Sequence, residues 1–138
     1  MKTLIGRTDI VDFPKLDLLG IDIKIDTGAY TSSFHCHNIV EENNILRCQF
    51  LDPDHEKYHD KVFTFDAYET KNVKSSNGII EKRFLIQTTI LIFGKTYPIK
   101  LTLTERGAMK YPVLLGRKFL SGKFIVDPEL KNLSYKQI

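Results

Sequence analysis

No stretch of this 138-residue sequence holds a helical hydrophobic period for more than about two turns, which argues against a helix-built domain. An apolar run of membrane-spanning length is also missing, and Met1-Lys2-Thr3-Leu4-Ile5-Gly6-Arg7 meets charge before a signal-peptide core can form. A cytoplasmic protein with no membrane partner is the expectation. Cysteine is scarce. Cys36 and Cys48 could pair geometrically, but in a reducing compartment they are expected to be free and half-buried. There is no Gly-rich phosphate loop, so no cofactor is expected and any ATP requirement would belong to a partner. The net charge of +3 comes from dispersed Lys and Arg rather than a basic block, which favours an acidic partner and falls short of a nucleic-acid signature. Linkers, repeats and low-complexity segments are absent as well. With 42% hydrophobic residues, the chain reads as one domain over 1–138.

What the sequence does have is strand chemistry. β-branched and aromatic residues recur with short spacing over Leu4–Arg7, Ile21–Ile25, Phe34–Ile39, Ile45–Leu51, Val62–Tyr68, Ile79–Phe93, Tyr97–Leu103, Val113–Leu115 and Phe124–Val126. Turn residues separate them at Glu42-Asn43-Asn44, Asp52-Pro53-Asp54, Ser75-Ser76-Asn77-Gly78 and Phe93-Gly94-Lys95. Asn77-Gly78 predicts a hairpin, because both residues tolerate the positive φ of a tight β-turn. One short helix is expected from Arg117 to Gly122. The fold class is all-β.

Three patterns carry chemistry. Asp26-Thr27-Gly28-Ala29 follows the apolar strand Ile21–Ile25 and puts a carboxylate at the tip of a tight turn. An aspartic peptidase needs two such carboxylates sharing one proton: one deprotonates water and the other protonates the scissile carbonyl. Thr27 would supply a bracing hydroxyl, while Gly28 and Ala29 are small enough for close approach. A single domain with one Asp-Thr-Gly holds half of that machinery. The second pattern, His55-Glu56-Lys57-Tyr58-His59, matches the zinc-peptidase H-E-x-x-H, which requires both histidines on one helical face. Pro53 upstream and the strand-like Val62-Phe63-Thr64-Phe65 downstream leave no room for that helix, so a polar loop is expected. The third pattern is His35-Cys36-His37, whose histidines share one face of a strand but lack a third ligand nearby. No metal site is expected from either pair.

Asp26-Thr27-Gly28-Ala29 together with Tyr111-Pro112-Val113-Leu114-Leu115-Gly116 resembles the retropepsin-like aspartic peptidases, in which a hydrophobic-hydrophobic-Gly strand braces the catalytic turn. A wider set is similar to the retropepsin-like family labelled ATP-dependent zinc proteases. It comprises Gly6-Arg7, Ser32-Ser33-Phe34-His35, Ser76-Asn77-Gly78, Arg83, Leu101-Thr102-Leu103-Thr104, Arg106, Met109, Leu114-Leu115-Gly116-Arg117 and Val126-Asp127-Pro128. Members of that family are associated with ATP-grasp ligases that attach or polymerise glutamate. The resemblance implies a closed acid-protease barrel with a flap hairpin and one short helix, acting as a homodimer on glutamate-rich peptides, with an ATP-grasp ligase as a partner. It implies Asp26, Thr27 and Gly28 as catalytic residues. Substrate binding would fall to Ala29, His35, Ser76, Asn77, Gly78, Arg83, Arg106 and Arg117, the arginines offering planar forks to carboxylates. In retroviral-type enzymes an Asp follows Asp-Thr-Gly-Ala and pairs with the equivalent of Arg117. Tyr30 stands there instead, so that pairing is not expected. Two other readings stay open: a non-catalytic acidic-peptide-binding accessory of a glutamate ligase, and a zinc-dependent peptidase.

Overall fold

The computed structural model describes residues 1–74, 77–105 and 110–137. Among them the strands are β1 (Thr3–Ile5), β2 (Thr8–Phe13), β3 (Leu18–Ile25), β4 (Ser32–Glu42), β5 (Ile45–Phe50), β6 (Phe63–Phe65), β7 (Glu69–Lys74), β8 (Ile80–Ile92), β9 (Lys95–Thr104), β10 (Val113–Leu115) and β11 (Phe124–Val126). Helix α1 (Arg117–Leu120) lies between β10 and β11, and 3₁₀ turns occupy Pro14–Leu16 and Tyr135–Gln137. None of the described helices is long and apolar enough to cross a membrane.

Turn chemistry sets the register of the long hairpins. Asn43 and Asn44 adopt φ of 52° and 60° between paired Glu42 and Ile45, and Phe93 and Gly94 adopt 52° and 69° between paired Ile92 and Lys95. Two successive positive-φ residues match the twist of the strands they join. The β7–β8 hairpin runs in register from Glu69↔Leu85 to Lys74↔Ile80, with Asn77 and Gly78 (φ 85°) in its loop. This is the expected flap, with Ile79 and Ile80 exposed at its tip. Ser76 lies outside the described residues.

Six strands close on themselves in the order β10-β3-β2-β8-β9-β4, because β10 pairs parallel with β3 on one side and antiparallel with β4 on the other. The expected all-β barrel with one short helix is therefore present. β5 and β6 extend the sheet beyond β4, and β1 pairs with β11 in a separate two-stranded sheet. Several element boundaries differ from expectation: Ile21–Ile25, Phe34–Ile39 and Tyr97–Leu103 extend to Leu18–Ile25, Ser32–Glu42 and Lys95–Thr104, and three differences go further. β2 and β7 were not anticipated, Leu4–Arg7 stops as a strand at Ile5, and the strand expected over Val62–Tyr68 is only the short β6.

The core is lined by inward residues from alternate strand positions. Phe34 stacks between Phe13 and Phe50, with ring centroids 5.0 Å apart in each pair, and all three side chains are fully buried. Burying an aromatic of this size contributes about 1.5–3 kcal/mol. Phe34 also pairs with Val113 of β10, so the packing that fills the barrel also seats the strand behind the Asp-Thr-Gly turn. Asp9 is buried too, and its carboxylate accepts N–H groups from Ile10 (2.8 Å), Ser134 (2.9 Å) and Tyr135 (3.1 Å). Those bonds satisfy a charge that would otherwise be costly and pin the C-terminal segment to β2. Cys36 and Cys48 are free, as expected, but fully rather than half buried.

Candidate active site

Asp26 stands where β3 ends. The Ile25 N–H donates to the Arg7 carbonyl at 2.8 Å and the Asp26 N–H to the Leu115 carbonyl at 2.9 Å, so the residue enters its turn held from both sides. The turn then closes on itself. The Ala29 N–H donates to the Asp26 carbonyl at 3.2 Å, and the Gly28 N–H donates to Asp26 Oδ1 at 3.0 Å. A carboxylate that accepts a backbone N–H has a fixed rotamer, and Asp26 remains partly solvent-accessible with Thr27 and Gly28 exposed beside it. Asp26 makes no other side-chain hydrogen bond or ion pair among the described residues.

The strand behind the turn is held just as closely. A Cβ on Gly116 would lie 2.5 Å from the Thr31 carbonyl oxygen and 2.8 Å from that of Tyr30, so only glycine lets the two backbones cross. Past Gly116 the chain turns into α1, whose first free N–H groups bind the Asp-Thr-Gly segment: Arg117 N–H to the Ala29 carbonyl and Lys118 N–H to the Tyr30 carbonyl, both at 2.9 Å. The Arg117 side chain adds a third tie, donating from Nη1 to the Thr27 carbonyl at 3.0 Å while its guanidinium carbon lies 5.8 Å from the Tyr30 ring centroid. Tyr30 thus occupies Arg117 by stacking where a retroviral-type enzyme would use an aspartate. The brace expected from the Thr27 hydroxyl is not made within this chain among the described residues. The Thr27 carbonyl is what Arg117 grips.

The remaining expected site residues fall in different places. His35 is buried, and its N–H donates to the Pro112 carbonyl at 2.8 Å, at the start of β10, whereas Asp26 bonds to Leu115 at its end. Burial pushes the His35 pKa below its ordinary value, opposed by the Asp52 carboxylate, whose Oδ2 lies 3.9 Å from Nε2. His37 meets the Tyr58 hydroxyl at 3.2 Å. Arg83 lies on the flap arm 3.5 Å from Glu81 and borders a cavity of about 270 Å³ with Thr104 and Glu105, a cavity that Arg117 does not line. Asn77 and Gly78 are in the flap loop. Arg106, the third expected arginine, lies outside the described residues, as does Met109.

The H-E-x-x-H segment contains no helix. His55 Nδ1 accepts the Lys57 N–H at 3.0 Å, and His59 Nε2 lies 3.2 Å from both the Leu16 and Asp17 carbonyls. The two rings are committed to separate backbone contacts and do not share a helical face, so the geometry a zinc peptidase needs is not formed here.

Two bracing residues carry no local signal in the sequence. Ser32 is buried and accepts the Gly116 N–H through Oγ at 3.0 Å, and Tyr30 stacks on Arg117. Each contact joins residues more than eighty positions apart, so the resemblance singled out both positions but not the bonds they make.

Comparison with known proteins bears on this site. A family model described as "RimB-like: Retropepsin-like aspartic endopeptidase RimB" matches residues 4–137. A protein of Parasynechococcus marenigrum named "Probable alpha-L-glutamate ligase" is 33% identical over 132 residues, covering 93% of this chain and 28% of its own length. One of the same name from Shewanella halifaxensis is 35% identical over 146 residues, covering 92% of this chain and 29% of its own. The chain thus spans less than a third of the length of the curated relatives it matches. A crystal structure of a Legionella pneumophila protein of unknown function superposes with a TM-score of 0.68 at 27% identity, covering 97% of this chain and 99% of that one.

Proposed function

The chain belongs to the RimB-like family of retropepsin-like aspartic endopeptidases, and from that premise we propose that it is an aspartic peptidase whose active form is a symmetric homodimer. Asp26 from each copy forms the dyad. The observation that carries this reading is the Asp26 turn itself: one carboxylate per chain, rotamer-fixed by Gly28, braced from behind by Leu115 and Gly116, and open to the outside. A two-fold axis beside that turn supplies the second carboxylate, and the pair then holds one proton because two charges that close cannot both be ionised. The ionised member takes a proton from the attacking water while the protonated member gives its own to the carbonyl oxygen. The Thr27 hydroxyl, unbonded among the described residues, is available to brace the partner copy's turn.

The substrate class follows from the company the domain keeps. Relatives bearing a segment like this chain are much longer and are named alpha-L-glutamate ligases, which supports a glutamate-rich peptide or polyglutamate as the substrate and a ligase of that kind as a cytoplasmic partner. A positive net charge is consistent with an acidic ligand.

Hydrolysis of a fluorescently labelled oligoglutamate tests the proposal, with sedimentation run at the same concentration. Asp26→Asn is expected to abolish turnover without changing the melting temperature, since the amide oxygen still accepts the Gly28 N–H. Titrating this variant into the parent protein should depress activity more than dilution does, because each mixed dimer has only half a dyad. Full activity from a monomer would refute the dimeric dyad, and tight binding without any turnover would favour an accessory module that grips acidic peptides.

A further inference from the structure

A cavity of about 280 Å³ opens beside the catalytic turn. Thr31 and Ser32, which follow Tyr30, form one wall, and Lys118 and Phe119 of α1 form another. The α1 wall is tied to the turn by the Lys118 N–H, which donates to the Tyr30 carbonyl at 2.9 Å, and the Ser32 wall is tied to the start of α1 through its side chain, Oγ accepting the Gly116 N–H at 3.0 Å. Buried Ile99 and Phe119 give the lining an apolar part, Lys100, Lys118 and Lys123 give it a basic one, and among the described residues no acidic side chain lines it. Lys100 Nζ lies 3.2 Å from the exposed carboxylate of Glu69 on the flap strand, outside the lining, a surface pair that a substrate carboxylate would have to displace or share. Lys123 gives one N–H to the Phe119 carbonyl at 2.8 Å and keeps two donors. The Lys118 ammonium makes no hydrogen bond or ion pair among the described residues.

We propose that this cavity is an exosite for a glutamate side chain of the substrate, several residues from the cleaved bond. The proposal rests on the peptidase reading above and adds to it the residues that choose the substrate. The apolar part of the lining takes the two methylenes, and the lysines take the carboxylate as charge-assisted hydrogen-bond donors. Reach bounds the position: the chain from Asp26 to Thr31 spans at most roughly 17 Å and is shortened by its turn, so the cavity lies within about five residues of extended substrate. Arg117 does not line this cavity, and its guanidinium is held by the Thr27 carbonyl and the Tyr30 ring.

Oligoglutamates of increasing length test it. KM should fall about tenfold once the chain is long enough to enter both the catalytic turn and the cavity, as expected when a second contact is tethered to the first. Lys118→Glu and Lys100→Glu should each remove most of that advantage while kcat on saturating long chains stays within about twofold, the signature of lost ground-state binding. Labelled long oligoglutamate binding to Asp26→Asn, read by anisotropy, should weaken in parallel when Lys118→Glu is added. Both lysines are exposed, and an unchanged melting temperature establishes that the variants are folded. Hydrolysis whose length dependence is identical in the parent and both variants overturns the exosite and leaves the peptidase reading intact. Length-dependent binding that Lys118→Glu abolishes, with no hydrolysis by the parent, supports the exosite and removes the peptidase reading.

Discussion

The Gly116 N–H donates to Ser32 Oγ at 3.0 Å, a buried bond that ties the strand behind the Asp-Thr-Gly turn to the strand leaving it. Ser32→Ala strands that N–H away from water, and an unsatisfied buried donor costs about 1–3 kcal/mol. A melting temperature lowered by several degrees is the expected outcome. Gly116→Ala should be worse, because its methyl group would meet backbone atoms of Thr31 and Tyr30 that cannot rotate away. Calorimetry on the two variants checks the order. If Gly116→Ala proves the milder change, the close crossing is not what fixes the turn.

Arg117 and Arg83 should separate by substrate. Arg117→Gln loses the bond to the Thr27 carbonyl and the stack on Tyr30, so it disturbs the catalytic turn and should lower kcat by roughly tenfold on acidic and neutral peptides alike. Arg83→Gln leaves that turn untouched and should act through KM, more on an acidic than on a neutral substrate. Arg117→Lys keeps the charge but not the planar fork and should resemble Arg117→Gln. Rescue of full activity by lysine would mean that charge alone is required.

His59 serves the loop rather than catalysis. Removing the ring contacts with the Leu16 and Asp17 carbonyls should cost about 1 kcal/mol of stability in His59→Ala, with kcat/KM unchanged. His55→Ala should be milder still, and a strong chelator should leave the rate unaltered. Activity that disappears with chelator and returns with zinc would revive the metallopeptidase reading.

His35 makes stability depend on pH. Its folded-state pKa lies below the ordinary 6.5 because burial disfavours the charged ring, with His37 acting in the same direction and Asp52 and Glu105 opposing. As pH falls below 6.5 the unfolded chain takes up the proton first, so stability drops between 6.5 and the lowered folded value and is flat above 6.5. Thermal melts across about pH 5 to 8 should show this slope, and His35→Gln should flatten it. An identical slope in the variant would assign the effect to another group.

The barrel was readable because its hairpins announce themselves. Asn43-Asn44 and Phe93-Gly94 supply positive φ where the strands need it, and the Asp-Thr-Gly and Leu-Leu-Gly segments implied their own pairing. β2 escaped notice because its inward positions are Asp9, Val11 and Phe13, so a buried carboxylate interrupts the apolar alternation. What satisfies that carboxylate lies at Ser134 and Tyr135, far along the chain. β7 was hidden for the opposite reason. Glu69–Lys74 is a flap arm with almost every residue exposed, so no hydrophobic face marks it. At the candidate site His35, grouped with substrate-binding residues by resemblance, is buried, and its N–H bonds the Pro112 carbonyl just before β10 while the Asp26 N–H bonds that of Leu115 at its end, a placement that only the fold reveals.

Cys36 and Cys48 sit at fully buried positions on neighbouring strands of the sheet, with the Cys36 Sγ 3.3 Å from the Phe34 carbonyl. Burial, and after it the adjacent Cys48, push the Cys36 thiol well above its ordinary pKa. A thiol in that state is inert toward alkylating reagents until its shelter opens. Its rate of modification in native buffer is therefore a built-in clock for breathing of the β4–β5 ladder, readable without any introduced probe.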